Sequence, residues 1–376
     1  MKILLIGNIN SIWVRLYIEK VLLKIKDVKI YILSFKNINA DNKKYFKQYK
    51  HKINIFENTQ GKYLKAVKAY LWCKHNSRDG KFDFLHIHYM PNVVVSFLCK
   101  VLCSKYANNV ILTYYGSDLF DKSAIKKYAH AMLIKSAKYV TMATNNMIKT
   151  FNDIYKFKFE NKVRKIAFGL ETISEIDKIF EEADSVKKCK EKYGIDVNKK
   201  SIAIGYNGRE TQRHIDIIDE IIKLDETERS NLCLIVHLGY NLSSDEYRKK
   251  IIKKLDESKT DYVVIDDFLD KKELAELRVA TDIIIHAQPS DAFSASIQEV
   301  IYAEGILINP IWIVYEELDE ENVKYYKFSE IKEIHETLRL CRLTKEEKIK
   351  NRDAIKRLSS WEYNCKLWND LYIGVN

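Results

Sequence analysis

Apolar residues fall along this chain in two alternating signatures. Short unbroken runs, such as Ile3-Leu-Leu-Ile6 and Ile283-Ile-Ile285, end in glycine or polar turns. Between them lie longer stretches in which apolar residues recur at i, i+3 and i+4. A run that is apolar on both faces suits a parallel strand covered on both sides, and the longer spacing suits a helix with one buried stripe. The pattern predicts strands at 1–6, 28–33, 53–56, 84–88, 110–114 and 139–142, with a short one near 164–169. A second series starts at 201–205 and continues at 232–238, 262–265, 283–287, 306–309 and 325–328. Strand and helix alternating in this way predict two doubly wound α/β, Rossmann-like domains. From Lys345 the chain reads as charged helix. The aromatics Trp361, Trp368 and Tyr372 mark a buried face at its end.

The most informative strand end is residues 288–305, Q-P-S-D-A-F-S-A-S-I-Q-E-V-I-Y-A-E-G. A tight loop should follow the apolar run. The helix after it would be capped by Ser294 or Ser296, with Ile297, Val300 and Ile301 facing a sheet. Glu299 falls off that stripe, toward whatever lies over the strand ends. Helix amides that attract anions, a loop acid (Asp291) and a helix acid (Glu299) suit a sugar nucleotide, amides for the pyrophosphate and carboxylates for hydroxyls. The plain alternative is a capped helix carrying two solvated acids.

Other predicted strand ends carry polar chemistry. His86 and His88 alternate on one strand and so share a face. The next strand runs into Gly116-Ser117-Asp118, which presents an acid to the same crevice or caps a helix. Strand 201–205 enters Tyr206-Asn-Gly208-Arg209-Glu-Thr-Gln-Arg213-His214, a glycine-containing loop at a helix start. It reads as a phosphate cradle in which Arg209 and Arg213 clamp a pyrophosphate. Phe268 lies between strand and helix, where it stacks on a nucleobase or, as the commoner fate, packs in the core.

At 376 residues the chain exceeds what one core usually supports, so two domains are expected. Net charge separates them. Residues 1–170 hold 31 Lys and Arg against 10 Asp and Glu, a balance of +21; the remainder, at 32 against 42, is −10. A basic half implies that one domain faces a polyanion, for which an anionic membrane, a phosphorylated acceptor and nucleic acid are the options. Lysine-coated solvated helices are the bland alternative. The first strand ends in a single glycine without G-x-G-x-x-G, which counts against a dinucleotide oxidoreductase. Seven cysteines without C-x-x-C pairs read as reduced thiols of a cytosolic protein, and none has metal spacing. No apolar segment reaches membrane-spanning length.

In register, the motifs resemble the GT-B glycosyltransferases, and most closely the large retaining family, often called family 4, that includes bacterial capsule and lipopolysaccharide transferases. Asp291, then Glu299, then Ala303-Glu-Gly305 follow that family's acid, seven residues, Glu and A-x-G signature, with Asp in place of the usual first Glu. Asp83-x-x-His86-x-His88, Gly116-Ser-Asp118, Phe168-Gly169 and the terminal Ser360-Trp-Glu agree in order. Tyr115 stands where the family commonly has His, and the family's G-R-x-x-x-x-K clamp is replaced by Gly208-Arg209 through Arg213-His214. The resemblance implies an acceptor domain at 1–170, a nucleotide-sugar domain at 171–358, and a helix at 359–376 crossing back to the first. It also implies Glu299 on the ribose, Asp291 on the donor sugar, and Arg213 with the amides of residues 294–296 on the pyrophosphate. His88 and Asp118 would line the acceptor side. The implied reaction is metal-independent transfer, with retention and without a cofactor, from a nucleotide sugar to a hydroxyl of a lipid-linked surface glycan, at the inner face of the membrane and without nucleic acid. A sugar-nucleotide 2-epimerase shares fold and donor site and is the enzymatic alternative; a non-catalytic basic scaffold is the other.

Overall fold

The computed structural model describes residues 1–56, 62–120 and 123–374. Each predicted strand is present. In the first half they are β1 (Lys2–Ile6), β2 (Lys29–Leu33), β3 (Ile53–Ile55), β4 (Phe82–His88), β5 (Ala107–Thr113), β6 (Tyr139–Met142) and β7 (Val163–Lys165). The second half contributes β8 (Lys200–Ile204), β9 (Leu232–His237), β10 (Asp261–Ile265), β11 (Ile283–Ile285), β12 (Ile306–Pro310) and β13 (Tyr326–Phe328). They form two wholly parallel sheets, ordered β3-β2-β1-β4-β5-β6-β7 and β10-β9-β8-β11-β12-β13. In both, the order reverses beside the first strand, between β1 and β4 and between β8 and β11. Ligands of such sheets bind outside the carboxyl ends at that reversal.

Internal contacts divide the chain into two compact units. One is Met1–Phe168 together with the chain from Trp361 onward; the other is Gly169–Ser360. The return is made by helix Trp361–Ile373, which begins where Ser360 takes an extended conformation after helix Lys345–Ser359. Trp368 is fully buried against the first sheet, stacks on Phe168 at 5.4 Å, and donates from Nε1 to the Ala167 carbonyl at 2.9 Å. The helix adds one lysine and two acids, so this unit carries +20.

Two apolar clusters cover the two faces of the first sheet. Helices Ile12–Lys20, Ala40–Lys47 and Trp361–Ile373 contribute to one. Helices Lys62–Asn76, Val93–Tyr106, Ala124–Ser136 and Asn145–Tyr155 contribute to the other. Among the described residues no helix is long and apolar enough to cross a membrane.

Candidate functional site

At the reversal of the first sheet, a cavity of about 400 Å3 opens over the ends of β1 and β4, lined by Gly7, Asn8, Ser11, His88, Tyr89 and Tyr115 among others. His88 is the last residue of β4. Its Nδ1 lies 2.9 Å from the Tyr115 hydroxyl, and its buried Nε2 has no protein partner. Burial pushes its pKa down to about 3, so the imidazole is neutral. The pair predicted to share a face does so, with ring centroids 4.2 Å apart, but the two rings are used differently. His86 is consumed by the core: Nδ1 meets the Tyr372 hydroxyl at 2.7 Å and Nε2 the Thr113 hydroxyl at 2.7 Å.

Asp118 is a correction. Its carboxylate accepts the backbone N–H of Met90 (2.7 Å), Tyr115 (2.9 Å) and Gly116 (3.0 Å), and it is buried. Both oxygens are spent on tying the loop after β4 to the loop after β5. Asp118 therefore positions Tyr115 rather than presenting an acid to the cavity. Burial raises its pKa, with the backbone donors pulling the other way.

The reversal of the second sheet holds a continuous hydrogen-bond chain. Gln288 Nε2 donates to the Tyr206 hydroxyl oxygen at 2.6 Å and lies 3.2 Å from His286 Nε2. The Tyr206 hydroxyl in turn donates to Asp291 Oδ1 at 3.0 Å. Asp291 Oδ2 accepts the Tyr315 hydroxyl at 2.7 Å and the Ser294 amide at 2.8 Å. With Gln288 donating to His286 Nε2, His286 Nδ1 carries the proton and donates to Asn309 Oδ1 at 2.9 Å. Every link is thus oriented, and three donors converge on Asp291. Tyr206, Gln288 and Tyr315 lack a local signal; Tyr315 stands 24 residues beyond the acid it serves.

Glu299 is not the exposed acid that helical phase suggests. It is 3% exposed and held among three helices. Arg278 Nε, from Lys271–Val279, donates to Oε2 at 3.1 Å, and the Thr172 hydroxyl, from Glu171–Phe180, donates to Oε1 at 2.7 Å. Arg278 also donates to Ser296 Oγ at 2.9 Å. Neither predicted serine caps helix Ala295–Tyr302: the Ser294 hydroxyl is buried without a partner, and the Asp291 carboxylate takes the Ser294 amide instead.

The predicted phosphate loop divides by role. Gly208 is required by packing, since a Cβ there would meet Leu242 Cα at 2.8 Å. Gly205, at φ +65°, turns the chain sharply out of β8. Arg209 is exposed and edges an open depression with Thr211, Asn241 and Ser243. Arg213 sits in the left-handed region at φ 59°, unusual for a side chain of its kind, with its guanidinium 5.9 Å from the Trp312 ring centre. His214 is a correction: it is buried, its Nδ1 meets the Tyr247 hydroxyl at 3.0 Å, and burial pushes its pKa down to about 4. A neutral core imidazole does not supply the cationic cradle. Phe268 also departs from the expected core packing. It is 75% exposed beside exposed Tyr240, with ring centroids 6.4 Å apart over the ends of β9 and β10. Among the described residues no group of three or more His, Cys, Asp or Glu could hold a metal ion.

Neither a protein-family model nor a curated protein sequence matches the chain. Solved structures do. A glycosyltransferase from Rickettsia africae matches with a TM-score of 0.76 at 16% identity, over 99% of this chain and 98% of that one. Anabaena HepE, solved in complex with UDP, matches with a TM-score of 0.72 at 10% identity over the whole of both chains. The sucrose-phosphate synthase of Thermosynechococcus elongatus matches at 0.66 and 10% identity, over 100% of this chain and 99% of that one. The fold is GT-B, two Rossmann-like α/β units with a returning C-terminal helix.

Proposed function

We propose that this chain is a glycosyltransferase that moves a sugar from a nucleoside-diphosphate donor to a hydroxyl of a glycan or lipid-linked acceptor. The observation that carries the reading is the whole-length match to glycosyltransferase structures, joined to polar side chains oriented at the reversal of each sheet. HepE is solved with UDP and with UDP-glucose, so a UDP-sugar is the first donor to test.

In this reading the second unit holds the donor. Glu299 accepts two protein hydrogen bonds, and a carboxylate offers about four lone-pair sites, which leaves capacity for ribose hydroxyls in an orientation fixed by Arg278 and Thr172. Asp291, shorter than the family's usual Glu and braced by two phenols, would accept from a hydroxyl of the donor sugar. Arg213 and the first-turn amides at Ala295 and Ser296 would face the pyrophosphate, with Arg209 at the edge. Charge that develops on the departing diphosphate is met by donors already in place, which is how such a site lowers the barrier. Phe268 and Tyr240 offer exposed rings to a base. In the first unit, neutral His88 would line the acceptor side, in the cavity over the ends of β1 and β4. Retention of configuration and a membrane-linked surface glycan as acceptor belong to the same proposal.

The test is thermal stabilisation and sugar-nucleotide hydrolysis across a donor panel, with Glu299→Gln as the variant. Alanine would strand the buried Arg278 charge, a cost of about 3–5 kcal/mol that confuses binding with folding. Glu299→Gln also removes the charge that Arg278 faces but keeps the shape and an acceptor oxygen, so its fold is checked by circular dichroism; UDP-glucose binding should weaken by roughly tenfold or more, the worth of a charge-assisted hydrogen bond. A wild-type chain that no sugar nucleotide stabilises would refute the assignment. Release of an epimerised sugar nucleotide without acceptor would move it to the epimerases.

A further inference from the structure

One buried arginine in the second unit serves two side chains at once. Arg278, 2% exposed, reaches from helix Lys271–Val279 to helix Ala295–Tyr302. A guanidinium edge commonly grips both oxygens of one carboxylate. Here it is divided: Nε donates to Glu299 Oε2 at 3.1 Å, and Nη2 donates to Ser296 Oγ at 2.9 Å. The two acceptors are i and i+3 on one helix, so they share a face and stand about 4.5 Å apart along the axis.

A guanidinium donates and cannot accept. The Ser296 hydroxyl therefore accepts from Arg278 and turns its own proton away, and among the described residues that proton meets no acceptor. The hydroxyl of Ser294, the other serine at this terminus, is enclosed. Ser296 is half-buried, one turn nearer the helix start than Glu299, beside first-turn amides whose free N–H groups favour an anion. Glu299, meanwhile, is held as an acceptor by Arg278 and by the Thr172 hydroxyl at 2.7 Å. One cation thus gives neighbouring side chains opposite hydrogen-bonding roles. An acceptor and a donor one helical turn apart suit the ribose hydroxyls and the phosphate oxygens of one nucleotide, which are adjacent along that molecule.

We infer that Arg278 is a positioning residue that holds the Ser296 hydroxyl as a donor to the diphosphate of the nucleotide while it holds Glu299 as an acceptor for the ribose. The role rests on the second unit binding the sugar-nucleotide donor, and it adds Ser296 Oγ, with the arginine behind it, to that site. Calorimetric titration of the full chain with UDP, and ligand-observed NMR with uridine, test it. Ser296→Ala should weaken UDP by roughly tenfold, the worth of a hydrogen bond to a charged group, and leave uridine within about twofold of wild type, because only the diphosphate loses a contact. Ser296→Thr restores the hydroxyl and should recover most of that loss. Arg278→Lys keeps a charge opposite Glu299 without the fork, so it should weaken UDP, and Ser296→Ala added to it should cost less than about threefold more. Circular dichroism checks the fold of each variant, and the two serine variants decide the matter if Arg278→Lys does not fold. Equal UDP affinity of wild type and Ser296→Ala, or equal losses for UDP and uridine, overturns the inference and leaves the donor reading standing. So does a full tenfold cost of Ser296→Ala on the Arg278→Lys background, which would show that the arginine does not orient the hydroxyl. A wild type that binds neither UDP nor uridine overturns both.

Discussion

His88 shows how one residue can be legible in type and illegible in state. Its place at the end of β4, in phase with His86, follows from period-two alternation. That one imidazole is spent on Tyr372 and Thr113 while the other keeps an unpartnered nitrogen depends on which atoms arrive from β5 and from the C-terminal helix. The state has a measurable consequence. Its folded pKa, at about 3, lies below the unfolded value of about 6.5, so the unfolded chain binds the extra proton between those values. Stability is therefore full above about pH 6.5 and falls as the solution is acidified toward pH 3, by up to roughly 1.4 kcal/mol per pH unit for each such histidine. His86, His214, His237 and His286 are shifted downward by burial as well and steepen the same window. Urea denaturation across pH 4–7 should show His88→Gln with a slope shallower by about one proton's worth. A slope equal to the wild type would mean that His88 titrates normally in the folded chain.

Among the elements, the final helix shows what sequence phase can and cannot say. Trp361, Trp368 and Tyr372 recur on one face, which is enough to predict burial. Which sheet buries them is decided by the residues that receive them: Phe168 under the Trp368 ring, the Ala167 carbonyl on its indole N–H, and His86 on the Tyr372 hydroxyl. Trp368→Ala should lower the stability of the first unit by about 3–5 kcal/mol, the usual cost of emptying a large buried aromatic site. Chemical denaturation followed by far-ultraviolet circular dichroism reads this directly. A loss below about 1 kcal/mol would show that the helix is not held as described. The helix at Ala295–Tyr302 teaches the converse. Its apolar stripe was legible, but Glu299, off that stripe, is enclosed because two other helices bring Arg278 and Thr172 to it. No i+3 or i+4 rule reports an arginine 21 residues upstream.

For the whole molecule, the opposite charges of the two halves become a statement about two units, one at +20 and one negative. All the residues assigned to the donor lie in Gly169–Ser360. A nucleotide that binds there should raise the unfolding free energy of that unit by about 2.7 kcal/mol at a hundredfold excess over Kd and leave the unit begun at Met1 unchanged. Scanning calorimetry with and without UDP should then move one transition and not the other. Equal movement of both would mean that the units unfold together or that the ligand contacts both.

The sequence by itself determined the strands, their gathering into two doubly wound α/β units, the helix that ends the chain, and the stretches at which chemistry is concentrated. These are local matters: period, turn residues and the sign of charge are written in neighbouring positions. Only the tertiary structure decided which polar residues stand ready for a ligand and which are spent on the protein. It withdrew Asp118 and His214 into the backbone and core, exposed Phe268, and braced Asp291 with Tyr206 and Tyr315. It also paired Glu299 with Arg278. A hydrogen-bond partner is chosen by distance in space, and a sheet whose strand order reverses brings together loops that are far apart along the chain.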